Sequence, residues 1–423
     1  MPELSQYHSG SAGVSVAFHL KGDDDDLYHK DADKDRFTQV KPAFKYTQSS
    51  LVLQPVNSVG HSGPKGELIR SAPFQGTTYT IVRWPGLVPN EKSGVSRTSY
   101  INARGFLYVR GMVIKVGSSS LFTTDSHQMM CLTEFTGALY RIARDVGFFL
   151  TEADLINASS KDSFTYMPWV TLTTNSTVDQ AFGIGGINWH PVNVEYSVRS
   201  VNELVVNYGD VVPKNGLFVL PRTISSGKTL SSNNFEMVHA TKLFWVEESE
   251  SKQLEDGYRE TYFTKYNVAG EKVIARSKVA HQDEVPLEMK SCVNYAFVTI
   301  QSSKDIAKGL HTKLCNDNDE DYIDEIMLFG ANSAVEDGLP AECYRKIKVE
   351  ETFGTKIRRH IYLLPFCDKI VPGEIPRHRN FTNYNDVKLK LKFKPHDDDL
   401  TVRVDYASNG CYWTDAGTVS KSA

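Results

Sequence analysis

The chain has 423 residues and an almost balanced charge, with 47 basic and 51 acidic residues and a formal net charge of −4 at pH 7. A protein devoted to binding nucleic acid needs a strong basic surplus, so this balance argues against that class. The length allows two or three domains, and the many Phe, Tyr, Gly and Pro residues favour β-barrels or sandwiches.

The six cysteines are scattered and predict neither a disulfide scaffold nor a CxxC metal or redox motif. They are Cys131, Cys292, Cys315, Cys343, Cys367 and Cys411. We expect most of them to be reduced and buried. Residues 1–20 lack the pattern of a signal peptide, and no apolar run reaches the roughly 18 residues of a transmembrane helix. We therefore expect a soluble chain made in the cytosol.

In chain order, the first segment is a polar one at residues 1–26. It is rich in Ser, Gly and Asp and ends in four consecutive aspartates at 23–26. Such a composition predicts a solvated arm. A calcium site would need ligands spaced around a loop with a glycine turn, which this run lacks.

From about residue 27 the pattern changes to short apolar runs separated by turns, which predicts β-strands. In the first half these runs lie near 44–53, 78–84, 106–109, 112–116 and 192–198. Residues 129–149 differ, because they lack Pro and their apolar residues recur near helical spacing. We predict a helix of a few turns there, packed in the core of the first domain.

Residues 200–234 are rich in turn formers, among them Pro213, Gly216 and Pro221, and favour an interdomain junction. Strand-like runs then resume at 242–246, 293–300, 361–364 and 402–406. The clearest strand is 387–394, where apolar residues and lysines alternate and so predict one core face and one solvent face. We interpret the lysine face as solvated, because it carries no interleaved aromatic residues of a nucleic-acid stripe.

Motifs for catalysis or cofactor binding are weak. The 12 histidines form no HxH or HExxH cluster of the kind that jelly-roll metal enzymes use. Residues 182–187 are glycine-rich but do not match GxGxxG and precede a β run, which predicts a turn. The acidic stretch 317–325 begins like an EF-hand loop, but Tyr322 and Leu328 replace the required Gly and Glu.

We therefore interpret the acidic stretch as a surface loop and predict no catalytic, cofactor-binding or metal-binding residues. Three Asn-x-Ser/Thr sequons occur, at Asn157, Asn175 and Asn380. They matter only if the chain meets a glycosylation machinery.

Several runs also form an ordered series of landmarks. The first half contains DLY at 26–28, FTQVKPAFKYT at 37–47, RGMVIKVG at 110–117, LTE at 132–134 and NWHPVNV at 188–194. The second half contains IYLLPFC at 361–367, VPG at 371–373 and RNFTNYN at 379–385, with looser matches at 242–263, 285–301 and 409–413. In order and spacing this series resembles the major capsid proteins of nucleocytoplasmic large DNA viruses, such as iridoviruses and phycodnaviruses.

The resemblance implies an all-β fold of two tandem eight-stranded jelly rolls, a double jelly-roll, with short helices in the loops. It divides the chain into an N-terminal arm at 1–26, jelly roll 1 at 27–206 and an interdomain junction at 207–234. Jelly roll 2 then occupies 235–416, and a C-terminal tail occupies 417–423.

The resemblance further implies a structural subunit of an icosahedral capsid that is not an enzyme, needs no cofactor and assembles as trimeric pseudo-hexagonal capsomers. Its expected partners are a homotrimer of itself, neighbouring capsomers, minor capsid and penton proteins and an internal viral membrane, with no direct nucleic-acid binding. Its expected location is the virion, after synthesis in the host cytoplasm. A paralogous minor capsid or scaffold protein fits the same resemblance, and a jelly-roll carbohydrate-binding or adhesion protein is the alternative from another class.

Overall fold

The computed structural model describes most of the chain from Tyr46 onward. The described residues are 46–58, 63–68, 70–89, 97–169, 181–208, 223–256, 259–330, 333–370, 376–382, 384, 386–415 and 418–421. The predicted arm at 1–26 and the sequon at Asn175 lie outside these ranges. Within them, no helix has the length and apolar character needed to cross a bilayer.

The first half of the described chain forms two facing antiparallel sheets. Its strands are β1 (Tyr46–Pro55), β2 (Asn57–Ser58), β3 (Pro64–Glu67), β4 (Phe74–Trp84), β5 (Leu87–Val88), β6 (Arg97–Tyr100), β7 (Val109–Val116), β8 (Ser119–Asp125), β9 (Ser163–Pro168), β10 (Val192–Val198), β11 (Val205–Tyr208), β12 (Thr223–Ile224) and β13 (Glu236–Val246). One sheet has the order β1-β13-β4-β9 and the other β2-β3-β10-β7-β8, while β11-β6 and β12-β5 are small side ladders.

The second half repeats this arrangement. Its strands are β14 (Arg259–Ile274), β15 (His281–Pro286), β16 (Cys292–Ser302), β17 (Ile323–Gly330), β18 (Ser333–Pro340), β19 (Ile361–Pro365), β20 (Arg379–Asn380), β21 (Lys388–Phe393), β22 (Leu400–Asp415) and β23 (Thr418–Lys421). One sheet has the order β14-β22-β16-β19, extended by β20 and β23, and the other β15-β21-β17-β18.

The two halves share one strand order. In each, the first main strand pairs with the eighth, the eighth with the third, and the third with the sixth. The second, seventh, fourth and fifth main strands form the facing sheet. This is the double-Greek-key order of a jelly roll, so the predicted fold of two tandem eight-stranded rolls is confirmed. We call residues 46–246 roll 1 and residues 259–421 roll 2.

Short helices occupy the connections, as expected. They are α1 (Arg104–Leu107), α2 (Ser126–Phe135), α3 (Glu152–Ser159), α4 (Val201–Leu204), α5 (Glu248–Asp256), α6 (Ser303–Ala307) and α7 (Ala341–Phe353), with 3-10 turns at Ile184–Gly186 and Ser232–Asn234. The glycine-rich run at 182–187 thus lies in a turn between β9 and β10.

The position of β13 corrects the predicted division of the chain. The prediction placed this strand in jelly roll 2, but it hydrogen-bonds to β1 on one side and β4 on the other. The segment 207–234 is therefore part of the connection between the seventh and eighth strands of roll 1, and the link between the rolls is the segment that carries α5. The division differs because the last strand of a jelly roll pairs with the first, although nearly the whole domain separates the two strands in the sequence.

Two local predictions also change. The run at 106–109 was predicted as a strand, but it contributes to α1 and only then enters β7. A short apolar run does not by itself distinguish a strand from a buried helical turn. The helix predicted over 129–149 ends at Phe135, because Gly137 adopts a left-handed φ of 68°. The Gly137 amide donates to Glu134 O and the Ala138 amide to Thr133 O, which is a Schellman stop.

The strand predicted most clearly has the expected two faces. Leu389, Leu391 and Phe393 of β21 are buried in the core of roll 2. On the opposite face, Lys390 lies 4.0 Å from Glu284 and Lys388 lies 2.8 Å from Asp386. Two lysines of this face therefore have carboxylate neighbours. The cysteines follow the prediction in part, since none of the six, all within the described residues, forms a disulfide, and three are buried and three half-buried.

Candidate functional site at the contact between the two rolls

Helix α2 belongs to roll 1 but is enclosed by both rolls. The N-cap residue Asp125 accepts a hydrogen bond from the Gln128 amide, and Gln128 bonds back to the Asp125 amide in a capping box. All residues of α2 except His127 are buried. Roll 1 covers one side of this buried helix, and the outer face of the β14-β22-β16-β19 sheet covers another.

The apolar part of this contact is one continuous cluster. From α2 it contains Cys131, Leu132 and Phe135. From roll 2 it contains Tyr295, Phe297, Leu314, Val349, Ile361, Leu363 and Ala407. The Phe135 ring stacks on Phe353 at 5.0 Å and meets Phe297 edge-on at 5.6 Å. Each large side chain removed from water here contributes about 1.5–3 kcal/mol, so the cluster holds the rolls together as a domain core would.

A charged pair is buried beside this cluster. Glu134 of α2 is 1% exposed and Arg359 of roll 2 is 7% exposed, and Oε2 lies 3.4 Å from Nη1. Oε1 of Glu134 accepts the backbone amides of Arg358 at 3.1 Å and Arg359 at 2.9 Å, and the Tyr140 hydroxyl at 3.2 Å. Burial and the Glu134 charge raise the pKa of Tyr140, so its hydroxyl remains a donor.

A second polar network closes the N-terminal end of α2. Arg403 of β22 forms ion pairs with Asp125 and, at 2.7 Å, with Asp405. Nε2 of Gln128 donates to Oδ1 of Asp405 at 2.8 Å. Burial raises the pKa of Asp405, and its contacts with Arg403 and Gln128 oppose that rise. Cross-roll hydrogen bonds of this kind specify one register of the helix on the sheet, which apolar packing alone does not do.

The linker helix α5 provides another fixed contact. Leu254 packs in a small buried cluster with Phe74 and Phe244 of roll 1. The glycine turn lies directly against it, since a Cβ atom on Gly186 would be 2.8 Å from the Leu254 carbonyl oxygen. Phe182, next to this turn, meets Tyr412 of roll 2 edge-on at 5.5 Å. Only glycine allows the backbones of the turn and the linker to approach so closely.

The outer face of the β1-β13-β4-β9 sheet has a different character, because large apolar side chains lie exposed on it. We call these residues the flank surface: Leu51, Leu53, Tyr79, Phe164 and Tyr166, with exposed fractions of 64, 63, 36, 53 and 42%. They lie on three strands of one sheet, and a single cross-strand row runs Leu53, Ala240, Tyr79, Pro168. Several large apolar side chains left exposed on one sheet face favour a contact with another protein.

The candidate residues singled out in the sequence are dispersed. Asn157 is exposed on α3, whereas Asn380 lies in β20 and its Oδ1 accepts the Thr382 amide at 3.0 Å. Carboxylates of the acidic stretch bind separate partners, with Asp317 on Lys313 and Asp324 on Lys394. Sequence reasoning missed the pair Glu134–Arg359. Glu134 is the single charged residue of an otherwise uncharged helix, a signal that indicates a buried partner.

The fold and the buried contact define a class of protein, the tandem jelly-roll proteins whose two barrels form one body. No protein-family model and no curated protein matches the sequence. Solved structures match the fold along most of the chain. VP54 of the virus PBCV-1 aligns with a TM-score of 0.70 at 10% identity, covering 90% of this chain and 98% of VP54.

Two further structures show the same likeness. The Faustovirus major capsid protein aligns with a TM-score of 0.62 at 9% identity, covering 88% of this chain and 91% of its own. The mavirus major capsid protein aligns with a TM-score of 0.51 at 10% identity, covering 90% and 91%. These are double jelly-roll major capsid proteins of large DNA viruses, and this chain has their fold, as the sequence resemblance implied.

Proposed function

We propose that this protein is a structural subunit of an icosahedral viral capsid and assembles as a homotrimer. Three copies would place six jelly rolls around a threefold axis and form a pseudo-hexagonal capsomer. A closed ring of this kind satisfies head-to-tail contacts without growing into filaments. The observation that carries the proposal is the joining of two rolls of identical strand order through the buried contact around α2.

That contact matters because the outline of a capsomer depends on the angle between the two rolls. A mobile pair of barrels could not tile a shell reproducibly. Here an apolar cluster and the ion pair Glu134–Arg359 cross the contact between the rolls. The linker helix α5 adds a separate packing contact with roll 1. Separating the rolls would expose the buried pair and the aromatic rings to water at once, so the pair of rolls behaves as one body.

The flank surface supplies a contact for the next copy in the trimer. Its five apolar side chains lie on the outer face of roll 1, where the described part of the chain leaves them exposed. Burying them against another copy would gain about 25 cal/mol per Å2 of apolar surface. Obligate oligomer interfaces are more apolar than those of transient complexes.

The remaining partners and the location belong to the same proposal. Neighbouring capsomers, minor capsid and penton proteins and an internal membrane would contact the outer edges of the trimer in the virion, after synthesis in the host cytoplasm. The arm at 1–26 would face inward or reach neighbouring subunits. Deleting it should then impair assembly of particles but not the formation of trimers.

The test is the oligomeric state of the purified full-length protein. We expect sedimentation to give a mass about three times the 47.4 kDa of one chain, and negative-stain images to show hexagonal particles. Replacing Leu53 and Tyr166 by lysine should yield folded monomers, because two charges would be buried in the trimer contact. The control is Val279→Lys, which changes an exposed apolar residue in the connection between β14 and β15, outside the flank surface, and should leave trimers intact.

Each outcome bears on the proposal. A wild-type monomer without hexagonal particles would overturn it, and a monomer that binds glycans would favour the adhesion alternative. Trimers that persist in the double lysine variant would remove the flank surface as the contact. Finding the protein in mature virions by mass spectrometry supports a capsid subunit, whereas a scaffold would be present only in immature particles.

A further inference from the structure

Three side chains of different chemistry converge at one end of roll 2. The thiol of Cys315, the carboxylate of Asp319 and the imidazole of His360 place their ligand atoms within 4.8 Å of one another. Cys315 and Asp319 lie in the connection between α6 and β17, whereas His360 directly precedes β19. The fold therefore brings His360 next to two residues that precede it by about 40 positions, and no sequence motif predicts this cluster.

The imidazole is buried and held in one orientation. His360 is 5% exposed, and its Nδ1 lies 2.6 Å from Oδ1 of Asp321. Asp321 also accepts the Tyr362 hydroxyl at 2.8 Å and pairs with Arg345 at 3.3 Å. The Asp321 carboxylate thus engages Nδ1 of the ring, which leaves Nε2 as the nitrogen available to a metal ion.

Nε2 of His360 faces the other two groups. Nε2 of His360 lies 3.6 Å from Oδ1 of Asp319, which is too long for a hydrogen bond. The same Oδ1 accepts the Cys315 thiol at 3.3 Å. Ligands arranged tetrahedrally around one zinc ion, with bonds of about 2.0–2.3 Å, lie about 3.3–3.8 Å apart. Both distances fall in that range, and the Cys315 sulfur lies within 4.8 Å of the His360 ring nitrogen, so small side-chain movements would bring the three atoms to three corners of a coordination tetrahedron.

We propose that Cys315, Asp319 and His360 bind a divalent zinc-class metal ion, with the fourth position open to water. A sulfur, nitrogen and oxygen donor set suits zinc and disfavours magnesium and calcium, which prefer oxygen alone. The carboxylate behind the histidine is the usual outer support of such a ligand, because it fixes the ring and its tautomer. On binding, the Cys315 thiol releases its proton to solvent, and the resulting thiolate sulfur forms a bond to the metal ion.

The proposed site differs from the sequence prediction that no residue binds a metal, which stays a prediction until the metal is tested. The position of the site indicates a structural role. The site would tie the loop that contains Cys315 to the start of β19. The neighbouring Arg359 donates from Nε to the Thr312 carbonyl at 3.1 Å and pairs with Glu134 across the roll contact. A bound ion would therefore stabilise roll 2 next to the place where roll 1 docks.

The test uses cobalt as a visible substitute for zinc in the full-length protein. Titration with Co2+ should show one equivalent bound, with a thiolate-to-metal charge-transfer band and tetrahedral d–d bands that zinc abolishes by displacement. Cys315→Ser should remove the charge-transfer band, and Cys343→Ser, which alters a half-buried thiol of α7 outside the cluster, should leave it unchanged.

Two further variants guard against misfolding. His360→Gln changes a buried residue, so Asp319→Asn is the more robust variant, because the Asp319 side chain is 89% exposed. The Asp319→Asn variant should bind zinc at least about tenfold more weakly than wild type. In the absence of metal, the variant and wild type should unfold at the same temperature. The proposal is overturned if wild type binds no stoichiometric Co2+, or if Cys315→Ser keeps the band. Neither readout depends on capsid assembly.

Discussion

Glu134 and Arg359 lie in different jelly rolls, 225 positions apart, and their side chains form an ion pair that is almost completely removed from water. The carboxylate is further held by two backbone amides and a tyrosine hydroxyl. This relationship explains how two barrels joined by one linker keep a single arrangement. Apolar packing tolerates sliding, whereas a buried pair is satisfied in only one register.

The first prediction concerns this pair. Glu134→Ala should lower the free energy of unfolding by about 3–5 kcal/mol, because it leaves the Arg359 charge buried without its partner. Urea denaturation at neutral pH measures the change. The matched control is Glu342→Ala, which breaks the exposed ion pair with Lys346 on α7 and should leave stability unchanged within error. Equal losses of unfolding free energy in the two variants would contradict the assignment of Glu134 to a stabilising buried ion pair between the rolls.

The second prediction concerns His239 in the core of roll 1. Its Nε2 lies 2.5 Å from the Tyr196 hydroxyl, and burial lowers the pKa of His239 to about 3. In the unfolded chain the pKa is about 6.5, so below that pH the unfolded state binds the extra proton. The contribution of His239 to the free energy of unfolding is therefore fully present above about pH 6.5 and is lost as the pH drops towards 3.

Replacing the titrating group should reveal this dependence. The difference in unfolding free energy between wild type and His239→Leu should shrink steadily from pH 7 to pH 4. Tyr196→Phe is the control, because it removes the hydrogen-bond partner but keeps the imidazole, and its difference from wild type should vary less over that range. A difference for His239→Leu that stays constant with pH would exclude His239 as the source.

The third prediction concerns the contact between the glycine turn and the linker. Gly186→Ala should destabilise the protein by about 1–3 kcal/mol, because the new Cβ atom would sit 2.8 Å from the Leu254 carbonyl oxygen. Gly111→Ala is the control, since its Cβ atom would meet only the Thr124 carbonyl oxygen at 3.6 Å, an ordinary contact. Thermal unfolding measures both, and an unchanged melting temperature for Gly186→Ala would show that α5 does not dock tightly.

Local patterns predicted part of the fold well. The alternation at 387–394 identified β21 and its buried face, because alternation reflects the geometry of a single strand. The start of α2 and its burial were partly visible in the spacing of Leu132 and Phe135. Its end was not, because the stop depends on the left-handed conformation of Gly137 rather than on apolar spacing.

Long-range pairing was not visible in the same way. Nothing in residues 236–246 indicates that β13 joins β1 and β4, because strand pairing is chosen by partners far away in the chain. The same holds for Cys315, Asp319 and His360, which share no sequence motif and meet only when β19 lies beside the loop before β17.

The sequence alone determined the all-β character, the tandem organisation and, through ordered landmarks, the double jelly-roll class. The β character and tandem organisation follow from strand alternation and turn chemistry, which are short-range properties of neighbouring residues. The double jelly-roll class came from the resemblance alone. Only the tertiary structure decided where roll 1 ends, how α2 locks the rolls together and which side chains converge beside that lock. Those features depend on contacts between residues hundreds of positions apart, whose burial and charge pairing are settled only when both rolls have closed.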